Sequence, residues 1–335
     1  MILISFGTRP EYIKVKSLID NLKNIKTCFT GQHTDLIKNF TADHHLKIDV
    51  SNSRNRLNDI VTNILSNNFI FENIKYVIVQ GDTTSAFAMA LSAFHNNIKI
   101  IHLEAGLRTY NINDPFPEEM NRQLISRMAN IHLCPTESNR NNLIKECISE
   151  KNIFVVGNTG LDNIDNTITS YENTILITLH RSNNLKIMDK WFNVIDDIAT
   201  LYPEIEFILP IHSNPEILKH KVLLKHVNVI ESLSHDDMIT LMRKCKFIIS
   251  DSGGIQEEAS FLNKKIIICR ADTERPEVLK HHGVLCKTPD ELPNLFAEIN
   301  SNHTVNAECP FGQGDSYKKI IDIIRVHCDS QLMSS

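Results

Sequence analysis

Three carboxylates follow three successive apolar segments in the first half of the sequence. Asp82 comes after "YVIVQG", Glu104 ends "IKIIHLE", and Glu118 opens a helical segment that follows two prolines. Each carboxylate alone is typical of a helix cap or of a charge that favours a helix N-terminus. Together, at the carboxyl ends of parallel strands, they can transfer protons and stabilise a developing positive charge. We therefore predict that they form a catalytic group.

Basic residues, serine and glycine occupy two predicted helix starts. In "SFGTRPEYIK", Arg9 lies beside the free N–H groups of a helix and Lys14 follows one turn later. In "SDSGGIQEEAS", Ser252, Gly253 and Gly254 come where a strand ends and a helix begins. Adjacent glycines at such a point let a ligand approach the backbone closely. The two segments predict sites for the phosphates of one ligand.

The second half of the sequence adds further polar residues at strand ends. "TLHRSNN" carries His180 and Arg181, and "LPIHSNP" carries His212, which taken alone is typical of a hydrogen-bonded structural histidine. Glu258 lies one turn into the helix that begins at "SGG", where a carboxylate can accept hydrogen bonds from a ribose diol. Arg275 in "DTERPE" lies at another helix start. The pattern predicts a nucleotide ligand.

Short apolar segments alternate with longer helical ones, which is the pattern of parallel βα units. The pattern stops in a polar stretch near residues 160–173 and then resumes with "ILITLH" and "FIISDS". We predict an α/β protein with two Rossmann-like domains, residues 1–165 and 166–315. The last amphipathic helix, about residues 316–335, could by its sequence belong to either domain. Ligands are expected in the cleft that the strand ends face.

Composition argues against several classes of protein. The 335 residues are 42% hydrophobic, which is enough for two cores, and the net charge of -5 gives no reason to expect nucleic acid or a membrane surface. The eight scattered cysteines form no CxxC pair and no Cys/His cluster, so we predict reduced thiols, no metal and a cytoplasmic location. The sequence begins without a basic leader and has no long apolar run, so we expect neither secretion nor a membrane span. The motifs GxGxxG and GxxxxGK[ST] are absent, so we predict no cofactor.

Ten segments resemble, in the same order and over nearly the whole chain, the non-hydrolysing UDP-N-acetylglucosamine 2-epimerases. They are "FGTRPEYIK", "GQH", "VQGDTTSAFA", "HLEAGLRT", "PFPEEMNRQL", "GNT", "HR", "SDSGGIQEEAS", "DTERPE" and "PFGQGDS". The resemblance implies a glycosyltransferase-B-like fold with the active site in the interdomain cleft. It also implies a C-terminal helix that returns to the N-terminal domain, and a cytoplasmic homodimer.

The resemblance further implies a reaction in which UDP is eliminated to leave a 2-acetamidoglucal and then adds back, which inverts C2. Asp82, Glu104 and Glu118 would be the acid/base and cation-stabilising carboxylates, and His180 a catalytic or diphosphate-contacting residue. The predicted contacts to UDP and its diphosphate are Arg9, Lys14, Arg108, Arg181, His212, Ser252, Gly253, Gly254, Glu258 and Arg275. The partner is a UDP-sugar, and no nicotinamide is needed.

Two departures from the family pattern concern local contacts. Where the family usually reads HRREN this chain has "HRSNN", so Ser182 and Asn183 replace an arginine and a glutamate. The chain is also shorter than usual around "FTADHHLKIDVSNSRNRL".

Allosteric activation by a second UDP-N-acetylglucosamine, which occurs in many bacterial members, is left open. Gln32, Arg54 and His212 match positions associated with that second site. Asp35 and Asn55 stand where glutamines are common.

Motifs of the sequence also distinguish four alternative functions. A hydrolysing 2-epimerase would resemble "GSRAEY" at the first loop, and an epimerase of a 6-deoxy UDP-amino sugar would read EAGNR and SGTITEE, whereas this chain has "GTRPEY", "EAGLRT" and "SGGIQEE". A glycosyltransferase of the same fold would need an acceptor site and has little use for three carboxylates. An inactive nucleotide-sugar binding protein would be expected to lack at least one of them.

Overall fold

The computed structural model describes residues 1–32, 41–48, 54–165 and 169–328. Asp35 lies outside these ranges. The chain divides into two compact units. One unit contains Met1–Asp165 and the chain from Gly312 onward, and the other contains Asn166–Phe311.

The first unit is built on a parallel sheet with helices packed on it. Its described strands are β1 (Ile2–Phe6), β2 (Ile25–Phe29), β3 (His44–His45), β4 (Tyr76–Gln80), β5 (Lys99–Leu103), β6 (Ile131–Cys134) and β7 (Ile153–Val155). Its first helices are α1 (Arg9–Asn21), α2 (Arg56–Leu65), α3 (Thr84–His95), α4 (Glu118–Met128) and α5 (Glu137–Lys145). The strands lie in the order β3-β2-β1-β4-β5-β6-β7. The order reverses between β1 and β4, so the turns after these strands diverge and leave a crevice.

The second unit repeats this plan. Its described strands are β8 (Thr174–Thr178), β9 (Glu206–Pro210), β10 (Asn228–Ile230), β11 (Phe247–Ser250), β12 (Ile266–Ile268) and β13 (Gly283–Leu285), in the order β10-β9-β8-β11-β12-β13. Its described helices are α6 (Ser182–Leu185), α7 (Met188–Leu201), α8 (Pro215–Leu218), α9 (His235–Lys244), α10 (Gly253–Phe261) and α11 (Leu292–Ser301). The reversal here falls between β8 and β11. The predicted α/β class with two Rossmann-like sheets is confirmed.

Burial explains why these segments fold as strands. β4 and β8 are buried along their whole length, as expected for parallel strands covered by helices on both faces. Each unit has its own core, and that of the second unit centres on Trp191, Phe207 and Phe296. Full burial of such a side chain contributes roughly 1.5–3 kcal/mol. Two separate cores hold the two sets of strand ends rigidly.

The last described helix, α12 (Ser316–His327), packs on the first unit. Ile320 and Ile324 lie in the same core as Ile4 and Leu18. The carboxylate of Asp162 accepts hydrogen bonds from the backbone N–H groups of Ser316 and Tyr317, both at 2.8 Å. Asp162 therefore caps a helix from a distant part of the chain, which fixes where α12 begins.

Candidate active site

Glu104 lies immediately after β5, and its carboxylate is held on both sides. Lys14 Nζ from α1 lies 2.5 Å from Glu104 Oε1, and Gln80 Nε2 at the end of β4 donates to Oε2. The side chain is only 8% exposed. The backbone of Glu104 has φ of +64°, a conformation that costs a non-glycine residue about 1–3 kcal/mol. The fold therefore fixes this carboxylate in place at a local cost in backbone energy.

Asp82 follows β4, on the neighbouring strand. Arg122 Nε and Nη2 both lie 2.7 Å from Asp82 Oδ2, and Asn121 Nδ2 donates to the Asp82 carbonyl at 2.9 Å. Asp82 remains 24% exposed at its side chain, whereas the arginine is 6% exposed. Glu104 lies beside the turn that carries Asp82, because a Cβ placed on Gly81 would be 3.4 Å from Glu104 Oε2.

A buried histidine supports the same turn. His102 Nε2 lies 2.8 Å from the Gly81 carbonyl, and burial lowers the pKa of His102 to about 4. The ring is therefore neutral at physiological pH, and Nε2–H is the donor because a carbonyl oxygen only accepts.

The adjacent pair Glu118 and Glu119 opens α4, and the two residues differ in environment. Glu119 is fully buried, accepts from the backbone N–H groups of Thr109 and Tyr110, and pairs with Arg122 at 3.1 Å. Glu119 thus anchors the preceding loop and the arginine that holds Asp82. Glu118 is half-buried at the first position of the helix. Its predicted catalytic role stays a prediction.

Glu11 joins two turns of the first unit, a role that the sequence did not reveal. Its carboxylate accepts from the Gly7 backbone N–H at 3.0 Å and from Thr83 Oγ1 at 2.8 Å. Burial raises the pKa of Glu11 to about 7, although its hydrogen bonds oppose the shift. The turn after β1 and the turn that carries Asp82 are therefore tied to each other. The only sequence signal is an acidic residue in the first helical turn of "GTRPEY".

Arg108 is held inside the first unit. Its Nε and Nη2 donate to the two carboxylate oxygens of Glu146 at 2.7 and 2.9 Å, and further bonds reach Ser126 Oγ and the Leu107 carbonyl. The side chain is 0% exposed. These bonds hold Arg108 in its loop, and its predicted contact with a ligand phosphate stays a prediction.

The remaining predicted residues of the first unit differ in exposure and in contacts. Arg9 is half-buried at the first position of α1, and Lys14 contacts Glu104 as described above. Gln32 Oε1 accepts from the Ser85 N–H at the start of α3, at 3.1 Å. Arg54 is exposed. Whether Gln32 and Arg54 belong to an allosteric site stays open.

In the second unit, His180 and Arg181 contact a buried carboxylate whose role the sequence alone did not reveal. Asp251, directly after β11, accepts from the backbone N–H groups of both residues at 2.9–3.1 Å and from Asn184 Nδ2 at 2.9 Å. Asp251 is 0% exposed. It fixes the turn after β8 in the way that Glu11 fixes the turn after β1. Its position inside "SDSGG" was the available signal.

His180 and His212 lie against each other with ring centroids 5.6 Å apart and planes 13° from parallel. Burial lowers the pKa of His180, and the Asp251 carboxylate opposes the shift while His212 reinforces it. His180 is therefore neutral at physiological pH, and 39% of its side chain is exposed. A neutral, accessible imidazole can accept or donate a proton.

The start of α10 leaves open space beside Gly254. A Cβ built on Gly254 meets nothing within 4 Å, whereas one on Gly253 would lie 2.7 Å from Arg275 Nη1. Ser252 is the residue before the helix, and its N–H donates to Ser250 Oγ. Neither packing nor a left-handed backbone requires glycine at 254. The close approach of a ligand to these helix N–H groups would require it.

Three arginines surround one buried carboxylate next to this helix start. Arg270 and Arg275 each lie 2.5 Å from Glu274, Arg181 lies 3.5 Å from it, and Arg275 Nε also lies 2.6 Å from Glu257. Burial alone would raise the pKa of Glu274, but the arginines hold it well below its usual range. The cluster concentrates positive charge near the N-terminus of α10. Arg275, 7% exposed, fixes the geometry, while Arg181 is 27% exposed.

Glu258 lies in the second turn of α10, and its Oε1 is 2.9 Å from His235 Nε2. Over the described ranges, no three His, Cys, Asp or Glu side chains are arranged to hold a metal ion. A search of the same residues finds no helix both long enough and apolar enough to cross a membrane.

Two doubly wound sheets, with carboxylates at the switch point of one and an open helix start at that of the other, define a glycosyltransferase-B-like fold. The fold is shared with MurG of Acinetobacter baumannii, with a TM-score of 0.57, 11% identity and coverage of 97% of this chain and 99% of that one. The family model of UDP-N-acetylglucosamine 2-epimerase matches residues 19–325. The chain belongs to the UDP-N-acetylglucosamine 2-epimerase family.

Individual relatives are similar over nearly their whole length. The chain is 34% identical over 368 residues to the UDP-N-acetylglucosamine 2-epimerase of Salmonella borreze, covering 96% of this chain and 97% of that protein. The crystal structure of UDP-GlcNAc 2-epimerase from Neisseria meningitidis bound to UDP-GlcNAc has a TM-score of 0.88 and 33% identity, and the match covers 97% of this chain and 100% of that one. The predicted family is confirmed.

Proposed function

We propose that this protein interconverts UDP-N-acetylglucosamine and UDP-N-acetylmannosamine without net hydrolysis. The observation that carries the proposal is the Glu104 carboxylate, held by Lys14 and Gln80 and lying next to the turn that carries Asp82. Carboxylates at the ends of two neighbouring strands can exchange a proton with the two faces of a carbon atom. The Neisseria meningitidis relative, with UDP-GlcNAc bound, supports this substrate.

The reaction proceeds through elimination and re-addition. The C1–O bond breaks, its electron pair leaves with UDP, and the C2 proton passes to a carboxylate, so that a C1–C2 double bond forms. UDP then attacks C1, and a proton is delivered to C2 from the opposite face. Asp82, Glu104 and Glu118 are the proposed proton carriers and stabilisers of positive charge at C1.

UDP is held by the second unit in this proposal. Its diphosphate binds at the N–H groups of Gly253 and Gly254, with Arg181 and His180 at the end of β8 as additional donors. Arg9 of the first unit is proposed as a further donor. Since water would attack the intermediate or allow its release, the active site must exclude water while the glucal is present.

Proton NMR in deuterated water tests the proposal. Purified protein with UDP-N-acetylglucosamine, and no other nucleotide sugar, should give UDP-N-acetylmannosamine with deuterium at C2. Free UDP with free N-acetylmannosamine would instead identify a hydrolysing enzyme. If neither product forms, UDP-N-acetylglucosamine is not the substrate, and the same experiment with a 6-deoxy UDP-amino sugar becomes the next comparison.

We also propose that the protein acts in the cytoplasm, where its eight cysteine thiols would stay reduced, and that it forms a homodimer. The dimer proposal is supported by Phe116, Met120 and Leu124, exposed by 68%, 38% and 40% and spaced by four residues at and along α4. A second copy covering this stripe would remove it from water. Light scattering should report a dimer that Met120→Asp weakens and Val222→Asp, in the other unit, does not.

A further inference from the structure

Glu258 presents one carboxylate oxygen to the protein and keeps the other available. Its Oε1 lies 2.9 Å from His235 Nε2. In the part of the chain that the structure describes, Oε2 has no hydrogen-bond partner, and the side chain is 17% exposed. A carboxylate oxygen accepts about two hydrogen bonds, so Oε2 can receive both hydroxyls of a diol or share them with Oε1.

The position of Glu258 on α10 determines which part of a bound ligand its free oxygen can reach. Glu258 follows Gly254 by four residues, so the two lie on the same face of the helix, one turn apart. The space beside Gly254 is open. A diphosphate seated at Gly254 would therefore place the attached sugar of a nucleotide along the same face, towards Glu258.

His235 is itself well anchored. It is the first residue of α9, whose preceding residue Ser234 caps the helix by accepting from the Asp237 N–H. Its side chain is 20% exposed, and Nδ1 lies 3.9 Å from the exposed Asp236 carboxylate. Because an ionised carboxylate only accepts hydrogen bonds, Nε2 carries the proton. The ring thus restricts the rotamers of Glu258 from a separate helix.

We propose that His235 is a positioning residue for nucleotide recognition, which holds Glu258 so that its carboxylate meets the ribose 2′- and 3′-hydroxyls. This inference rests on the proposed function, since it takes UDP as the ligand of α10. Without His235, the Glu258 side chain would be free to change rotamer before UDP binds. Binding would then have to restrict it, and this loss of conformational entropy would weaken the affinity for UDP.

Calorimetric titration with two nucleotides separates this role from a general effect on folding. His235→Ala should weaken UDP binding by roughly five- to tenfold, the scale of immobilising one rotamer-rich side chain on binding. The same variant should change affinity for 2′,3′-dideoxy-UDP by less than about twofold, because that probe has no diol for Glu258 to hold. His235→Gln, whose amide N–H can reach Oε1, should recover part of the loss.

His226→Ala is the matched control. His226 also pairs with a carboxylate, Asp196 at 3.0 Å, in the same unit but not at α10. The His226→Ala variant should bind UDP and dideoxy-UDP as the wild type does. Equal losses for UDP and dideoxy-UDP in His235→Ala, or no loss for either, would overturn the positioning role.

The same titrations on the wild-type protein and on Glu258→Ala show whether a negative result contradicts only this inference or also the proposed function. A wild type that binds no UDP would overturn the proposed function and the inference with it. If the wild type binds UDP and dideoxy-UDP equally well, the UDP site stands but the ribose role of Glu258 and His235 falls. Preference for UDP that is lost in both Glu258→Ala and His235→Ala supports the inference.

Discussion

Thr83 Oγ1 donates a 2.8 Å hydrogen bond to Glu11, and the two residues belong to turns that follow different strands. Thr83 also caps α3 by accepting from the Ala86 N–H, and it directly follows Asp82. The same Glu11 carboxylate holds the Gly7 N–H. The position of Asp82 relative to the turn after β1 therefore depends on a carboxyl group that is only 2% exposed.

Glu11→Gln should change how stability depends on pH. The pKa of Glu11 is raised from 4.5 to about 7 in the folded protein, so the folded state binds more protons than the unfolded state between these values. The contribution of Glu11 to stability is therefore greatest below pH 4.5 and is lost as pH rises to about 7. Urea unfolding should show wild type losing about 2 kcal/mol more than the variant between pH 5 and pH 8.

Glu137→Gln provides the comparison for that measurement, because its side chain is 71% exposed. It should follow the wild-type curve. Parallel pH profiles for wild type and Glu11→Gln would show that Glu11 has the same pKa in both states.

Gly253→Ala and Gly254→Ala should have opposite effects. A methyl group at 253 would meet the Arg275 guanidinium, which Glu257 and Glu274 prevent from moving away, so we expect a loss of about 1–3 kcal/mol. At 254 the methyl group has room and alanine favours the helix, so stability should be equal or up to about 1 kcal/mol higher. UDP affinity of Gly254→Ala should nonetheless fall at least about tenfold, because the methyl group occupies the approach to the helix N–H groups. Thermal unfolding and calorimetric titration on both variants test the contrast, and unchanged affinity at 254 would count against the phosphate site.

Glu104→Gln should reduce turnover by at least about a hundredfold, because the amide cannot carry the proton that a carboxylate exchanges. UDP affinity should change little, since the proposed nucleotide contacts other than Arg9 lie on the second unit. The rate is measured by NMR and the affinity by calorimetry. Wild-type turnover in this variant would refute the assignment of Glu104.

Asp162→Ala should loosen α12 without unfolding the second unit. The substitution removes the acceptor for two backbone N–H groups and for Ser17 Oγ, which costs about 1–3 kcal/mol. Hydrogen exchange should accelerate in α12 and leave α10 unchanged. Asp322→Ala, at a 72% exposed position on α12, is the control, and equal acceleration in both variants would argue against the cap.

The fold class could be predicted from the sequence, and so could the positions of Asp82 and Glu104 at strand ends. Alternating apolar and helical segments define parallel βα units, and the carboxyl ends of their strands meet at one edge by geometry alone. Single polar residues that directly follow such strands can therefore be identified from the sequence.

Partners of the buried charges were not predictable in the same way. Glu11 and Asp251 serve segments far away in the chain, and only tertiary packing decides which N–H groups reach them. The partner of Arg108 was not predictable either, because only the fold brings Glu146 to this loop arginine. The His235 contact with Glu258 likewise joins two helices whose proximity the sequence does not encode locally.

The position of α12 has a consequence for the order in which the protein is made. Ile320 and Ile324 complete the core around β1, yet the ribosome adds them only after it has synthesised all of residues 166–311. The second unit can fold as soon as it emerges, whereas the first must wait with an incomplete core. During synthesis the N-terminal half is therefore the part that exposes apolar surface longest.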